Sequence, residues 1–254
     1  MSNADRRPSH LPGPSHGDQR ISALAERFKL SETAAEQLAR LFDLLATDET
    51  APSAIRDRRR ILDDHLADSL VAIEIDQVSS ARKAADLGAG AGLPGLPLAI
   101  ACPGMEMTLL ESSRRKCEFI ARAIAACRIA GASVACERAE SWRGGLGRMD
   151  LVTARAVGPL PVVIEYAAPL LSLGGVLVAW RGRREPEVEH AAGLAAGQLA
   201  LELHEARRVS PYPGARNRHL FVWQKVGDTP ADFPRRPGVA LKRPLGSAPA
   251  RGGR

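Results

Sequence analysis

An α/β fold, with a mainly parallel sheet covered by helices on both faces and a helical cap ahead of it, is what this sequence predicts. Three observations carry that prediction. From Lys83 onward, short apolar runs alternate with helical stretches, which is the pattern of parallel strands joined by crossover helices. A glycine-rich loop, Gly88-Ala89-Gly90-Ala91-Gly92-Leu93-Pro94-Gly95, falls where the first strand hands over to the first crossover helix. The 254 residues are enough for one such core with extensions.

Residues 1–20 mix turn-formers and charges without apolar period, so an unstructured tail is expected there and a folded domain over 21–226. Ser31 suits the N-cap of a helix that places Leu38, Leu41, Phe42 and Leu45 on one face. A longer helix from about Arg56 carries the stripe Ile61, Leu62, Leu66, Leu70 and Ile73, and these two helices form the cap. Strands are expected at 83–87, 107–110, 133–137, 150–154 and 176–180. The clearest intervening helix, 113–130, begins at Ser113, carries Phe119, Ile120, Ala123 and Ile124, and stops before Gly131 as its C-terminal cap. After Trp180 a charged, alanine-rich helix precedes strands at 201–209 and 218–226, which would finish a seven-stranded sheet antiparallel across the turn Pro211-Tyr212-Pro213-Gly214. From Gly227 onward Pro, Gly and Arg dominate, and a basic unstructured tail is expected.

Composition narrows the function classes. Hydrophobic residues at 45% and charged residues at 25% fit a globular core. No apolar stretch reaches the roughly 18–20 residues of a membrane span and no secretion signal is legible, so a cytoplasmic protein without membrane contact is expected. The four cysteines form no CxxC pair, which favours reduced thiols over disulfides, and no metal site is expected. A formal charge of +6 favours a polyanionic partner, although six Lys/Arg against two Asp in the last 28 residues carry part of that excess.

The glycine loop is the strongest signal. Alternating glycines after a strand let the backbone turn tightly and approach a nucleoside closely. Gly90-Ala91-Gly92-Leu93-Pro94-Gly95 formally satisfies GxGxxG, so a nicotinamide dinucleotide competes with S-adenosylmethionine for this loop. Asp86 tilts the choice: a carboxylate facing a pyrophosphate is unfavourable, whereas a sulfonium and an ammonium would welcome it. Asp86, Gly88, Gly90 and Gly92 are therefore expected to surround the methyl donor. Glu111, at the end of the second strand, is placed to accept both ribose hydroxyls, and its removal is expected to weaken donor binding with little effect on stability. Arg138-Ala139-Glu140 ends the third strand, where backbone groups meet an adenine edge.

These stretches together resemble a known family. His65-Leu66-Ala67-Asp68-Ser69, Asp86 through Pro97, Leu110-Glu111-Ser112 with Arg115-Lys116, Arg138-Ala139-Glu140, Arg155-Ala156 and Arg218-His219-Leu220 are similar to the bacterial small-subunit ribosomal RNA methyltransferases that modify guanine at nitrogen 7, the glucose-inhibited division protein B family. The resemblance implies a Rossmann-like class I methyltransferase fold and S-adenosyl-L-methionine as donor. It further implies ribosomal RNA or the small ribosomal subunit as partner, with donor contacts from Gly88, Leu93, the Ala139 and Glu140 backbone and Arg155. Ala51-Pro52-Ser53 stands where the family usually has Asn-Leu-Thr, and Arg181-Gly182 where it commonly has Lys-Gly.

The chemistry this implies needs no general base, because guanine nitrogen 7 already offers a lone pair and requires only proximity and alignment. Consistent with that, Val152-Thr153-Ala154-Arg155 occupies the place where amine methylation would call for an Asn-Pro-Pro-Tyr type motif. His65, Asp68 and Arg155 are the pocket candidates, His65 and Asp68 being spaced to pair on one helix face. Arg115, Lys116, Arg181 and Arg218 are candidates for an RNA phosphate track. A small-molecule methyltransferase of the same fold, a nicotinamide-dependent oxidoreductase and a non-enzymatic nucleic-acid-binding module remain open from the residues alone. A monomer is expected, on no sequence feature of its own.

Overall fold

Short runs of alanine, leucine and valine between glycine turns become the strands β1 (Lys83–Leu87), β2 (Glu106–Leu110), β3 (Ala132–Ala135), β4 (Met149–Arg155), β5 (Leu171–Arg181), β6 (Leu201–Arg208) and β7 (His219–Lys225). The computed structural model describes residues 16–246. All seven strands join one sheet in the order β3-β2-β1-β4-β5-β7-β6, parallel except for β7, which runs antiparallel to both neighbours. The helices are α1 (His16–Arg27), α2 (Glu32–Thr47), α3 (Arg58–Arg60), α4 (Asp68–Leu70), α5 (Asp76–Ser79), α6 (Gly95–Ala101), α7 (Arg114–Cys127), α8 (Leu160–Ala167), α9 (Pro186–Gln198) and α10 (Val239–Lys242).

Strand alternation sorts the core into two layers. Ala84, Leu109, Leu151, Val178 and Val222 point to the side covered by α2, α6 and α7. Their neighbours Ala85, Leu110, Val152, Leu177 and Phe221 point to the side covered by α8 and α9. Coverage of both faces explains why these strands read as continuous apolar runs rather than as polar and apolar in turn.

The cap forms as the pattern predicts, with Ser31 Oγ accepting the Ala34 amide at 3.2 Å and Leu38, Leu41, Phe42 and Leu45 buried. Its second helix departs from the expected regular α-helix. Residues Ile61–Ala67 form a wide π-turn between α3 and α4, and Val71–Glu74 tighten into a 3₁₀ turn. A π-turn inserts a residue and rotates the helix beyond it, so that His65 and Asp68 no longer pair with each other. The end of α7 differs too: Arg128 itself takes the left-handed conformation (φ +55°) that stops the helix. Gly131 instead passes so close to Met105 that a Cβ would lie 2.6 Å from its carbonyl oxygen.

Ordered structure extends past both predicted limits. α1 begins at His16, inside the expected tail, and the chain after Gly227 packs on the domain through the bidentate Arg235–Glu165 pair and buried Ala240. The remaining stretches of the two expected tails, 1–15 and 247–254, lie outside the described residues. Among the described residues no helix is long and apolar enough to cross a membrane, and no cluster of His, Cys, Asp and Glu is assembled for a metal. All four thiols are free; Cys117 and Cys127 are buried, Cys102 is half-buried and Cys136 is exposed.

Candidate functional site

Parallel strands deliver their C-terminal ends to one edge of the sheet, and two adjoining cavities open there. The first, about 260 Å³, lies over the ends of β1, β2 and β3 and is lined by Gly88, Glu111, Lys116, Glu137 to Glu140, Val157 and Tyr166. The second, about 380 Å³, lies between the π-turn and the ends of β4, β5 and β7, and is lined by Asp64, His65, Asp68, Arg155, Trp180, Arg181 and Arg218. Ala156 belongs to the walls of both. It holds a left-handed backbone (φ +58°) that a non-glycine residue adopts only where its surroundings compel it.

The glycine loop divides its labour. Gly88 and Gly90 have φ of +60° and +58°; Gly88 lines the first cavity, and a Cβ on Gly90 would meet nothing closer than 3.7 Å. Here glycine leaves room. At Gly92 a Cβ would lie 2.3 Å from Leu96, and at Gly95 it would lie 2.9 Å from Asp86, so these two glycines serve helix-to-strand packing. Gly92 and Leu93 are buried and lie off the lining of the first cavity.

Asp86 corrects the electrostatic argument built on it. The carboxylate is fully buried beneath the loop, accepting from the Gly95 amide at 3.0 Å and the Thr153 hydroxyl at 2.7 Å. Burial pushes its carboxyl up to about 6 against those two hydrogen bonds. Asp86 therefore braces the turn that carries Gly88 and Gly90, and lies off the linings of both cavities. The topology supplies the discrimination instead: the antiparallel β7 inserted between β5 and β6 departs from the all-parallel six-stranded order of dinucleotide-binding folds.

Glu111 sits where the sequence places it, at the end of β2, with its side chain 7% exposed. One oxygen accepts from the Gly90 amide (3.1 Å), the other from the Ser113 amide (2.9 Å), and the Lys116 ammonium stands 3.7 Å away. The carboxylate thus fastens the glycine loop to the start of α7 while lining the cavity. Lys116, read from the sequence as a candidate for a phosphate track, lines this cavity and is 43% exposed. Ala139 and Glu140 fall in a 3₁₀ turn just past β3, and the Glu140 carboxylate is occupied by the Gly238 amide at 3.0 Å and by Tyr166. What residues 139–140 offer the cavity is therefore mainly backbone.

In the second cavity His65 and Asp68 both line the wall, and each has its own partner instead of the other. His65 Nε2 pairs with Ser53 Oγ at 2.7 Å, and the ring is held neutral, its pKa lowered to about 4 by burial and by Arg155. The departure Ala51-Pro52-Ser53 thus keeps a hydroxyl where the family pattern has threonine. Asp68 takes Arg155 at 2.9 Å and Arg218 at 3.3 Å; burial pushes its carboxyl up while the two guanidinium groups pull it down. Its Oδ1 and the facing Arg218 Nε make no hydrogen bond within the protein. Arg218 also donates to Asp64 and Tyr212, so it organises the cavity wall more than it offers a free charge. Arg181 donates to the Gly158 carbonyl at 3.2 Å and approaches Glu185, while Arg115 lies exposed on α7. Trp180, Asp64, Tyr212 and Ser53 were not read as site residues. Asp64, beside His65 in the same helical run, was the one within reach of the sequence.

The first cavity fits a nucleoside with a sulfonium side chain: backbone kept bare by Gly88 and Gly90, and a buried carboxylate at the end of β2 for ribose hydroxyls. The chain is similar to the crystal structure of a predicted O-methyltransferase from Agrobacterium tumefaciens, with TM-score 0.51 and 25% identity over 65% of this chain and 81% of that one. It shares its fold with a SAM-dependent methyltransferase from Aquifex aeolicus, with TM-score 0.50 and 12% identity over 66% and 93% of the two chains. Fold and site together define an S-adenosylmethionine-dependent methyltransferase of the Rossmann-like class. Residues 35–206 match the profile of GidB, rRNA small subunit methyltransferase G. The chain is 38% identical over 221 residues to the ribosomal RNA small subunit methyltransferase G of Chloroflexus aggregans, covering 85% of this chain and 92% of that protein. With the Deinococcus radiodurans protein of the same name it shares 36% identity over 215 residues, 83% and 85% of the two chains. The chain belongs to the rRNA small subunit methyltransferase G family.

Proposed function

We propose that this chain methylates nitrogen 7 of a guanine in small-subunit ribosomal RNA, acting in the cytoplasm as a monomer on ribosomal RNA or the small ribosomal subunit. The observation that carries the reading is the shared wall at Ala156, which puts a nucleoside-sized donor cavity next to a second, polar cavity at the same sheet edge. When bound, S-adenosylmethionine supplies an electrophilic methyl group on its sulfonium.

The chain's own residues do the positioning. Gly88 gives the donor access to bare backbone, the open space over Gly90 leaves room beside it, Glu111 accepts the ribose hydroxyls, and the 139–140 backbone meets the adenine edge. Of the family pattern's other donor contacts, Leu93 is buried off the first cavity and supports the loop from beneath, and Arg155 stands in the wall of the second. Arg155, clamped to Asp68, also fixes the boundary with the second cavity. There Asp68, ion-paired with both Arg155 and Arg218, fixes the two guanidinium groups in the cavity wall, and the neutral His65 ring packs without adding charge. Nitrogen 7 needs no proton removed before attack, so alignment of the base against the donor is the main task of the site. Arg181 and Arg115 then serve the RNA phosphates at the rim.

Labelling small-subunit RNA with a radioactive methyl donor, then digesting it to nucleosides, tests the proposal. Label in 7-methylguanosine is the expected result. Label confined to methyladenosine, methylcytidine or a ribose methyl would refute it.

A further inference from the structure

Beyond residue 206, where the family profile ends, the chain completes its sheet and then turns back along the sheet edge. We propose that this C-terminal segment completes the adenine pocket of the donor site, with Leu241 as its apolar wall. The proposal rests on the reading of the first cavity as the donor site.

The segment is fixed in place at several points. Thr229 donates to the Ala168 carbonyl at 3.0 Å, Arg235 grips Glu165 through both carboxylate oxygens, and the Gly238 amide donates to Glu140 at 3.0 Å. Glu165 and Ala240 are buried, so these contacts dock the short α10 onto α8 and the turn after β3. That docking carries Leu241 to the cavity, where it faces the space bounded by Glu111, Glu140 and Val157.

Leu241 is 52% exposed although Ala240 beside it is 1% exposed. A leucine held this way, half-bare and facing a nucleoside cavity, has an apolar face that a planar base would cover. The donor's ribose is assigned to the Glu111 end of the cavity, which leaves the end formed by residues 137–140, Val157 and Leu241 for its base. The Glu140 carboxylate is spent on Gly238 and Tyr166 and the Arg138 and Ala139 carbonyls accept within the turn, so the base edge is assigned to the backbone amides of residues 139–140.

Titration calorimetry on the full chain with S-adenosylmethionine, repeated with S-adenosylhomocysteine, tests this. Leu241→Asp is expected to raise Kd about tenfold and Leu241→Ala about threefold, by the same factor for both ligands because the contact is with the base. The unfolding midpoint without ligand should stay at the parent value, since half of this side chain already faces solvent. Arg235→Ala, which frees the segment at its anchor, should weaken both ligands as well. Parent-like affinity in Leu241→Asp, with the parent binding normally, would overturn the role of the segment and leave the donor site standing. Failure of the parent itself to bind either ligand would overturn the donor reading and this proposal together.

Discussion

Replacing Glu111 by alanine tests the donor site where its geometry is tightest. The carboxylate holds two backbone amides, Gly90 at 3.1 Å and Ser113 at 2.9 Å, and is proposed to accept the ribose hydroxyls. Losing charge-assisted hydrogen bonds to the ribose should weaken donor binding by about 1–3 kcal/mol, roughly five- to 150-fold in Kd. The same change leaves the two amides to water or unpaired and removes the partner of Lys116, so stability should fall by about 1–2 kcal/mol. That second effect is invisible in the sequence, which suggests an exposed charge whose loss costs little. Glu111→Gln separates the two: its amide oxygen keeps one of the amide bonds, so stability should recover in part while ribose binding stays weak. Calorimetry with S-adenosylmethionine and urea unfolding measure the two quantities independently. A folded Glu111→Ala protein with the parent's donor affinity would refute the ribose assignment.

Gly90→Asp should abolish donor binding in a folded protein, since aspartate tolerates a left-handed backbone and its side chain would occupy the open space over Gly90; unchanged calorimetric affinity would remove the glycine-cradle argument. His65 carries a pH dependence of definite sign. Its folded pKa of about 4 lies below the ordinary 6.5, so from pH 6.5 downward the unfolded chain takes up a proton that the folded one refuses. Stability should therefore decline by about 2 kcal/mol between pH 6.5 and 4, after allowance for partial exposure. His65→Gln should flatten that slope in urea titrations, and an identical slope in both proteins would place the acid sensitivity elsewhere. Ser53→Ala removes the hydroxyl that pairs with His65 and caps the Ile55 amide. It should cost about 1 kcal/mol and lower methylation without changing donor affinity, whereas Ser53→Thr should behave as the parent.

The legible part of the site was the part written in adjacent residues. Glycines at alternate positions after a strand announce a tight turn, although Gly92 proves to serve packing, and Glu111 falls at a strand end whatever the exact register. Contacts that depend on chain segments far apart were not legible. Ser53 meets His65 and Tyr212 meets Asp64 because the π-turn rotates the helical run, and no spacing in residues 56–73 announces that extra residue. Asp86 misled for a related reason: its position at the end of β1 is readable, but which way its side chain points depends on Thr153 of the neighbouring strand.

By itself the sequence determined the α/β class, the positions of the strands, the late antiparallel pair and the glycine loop after β1, because these arise from local periodicity and from glycine's freedom at positive φ. The tertiary structure alone decided what each polar group is for. It buried Asp86 under the loop, gave Lys116 to Glu111, tied Arg218 into the wall with Asp64 and Asp68, and folded part of a composition that reads as unstructured onto the first cavity. Residues 227–246 have too few apolar side chains to order themselves, so their structure comes from partners such as Glu165 and Glu140, carboxylates 70 and 98 positions away in the chain.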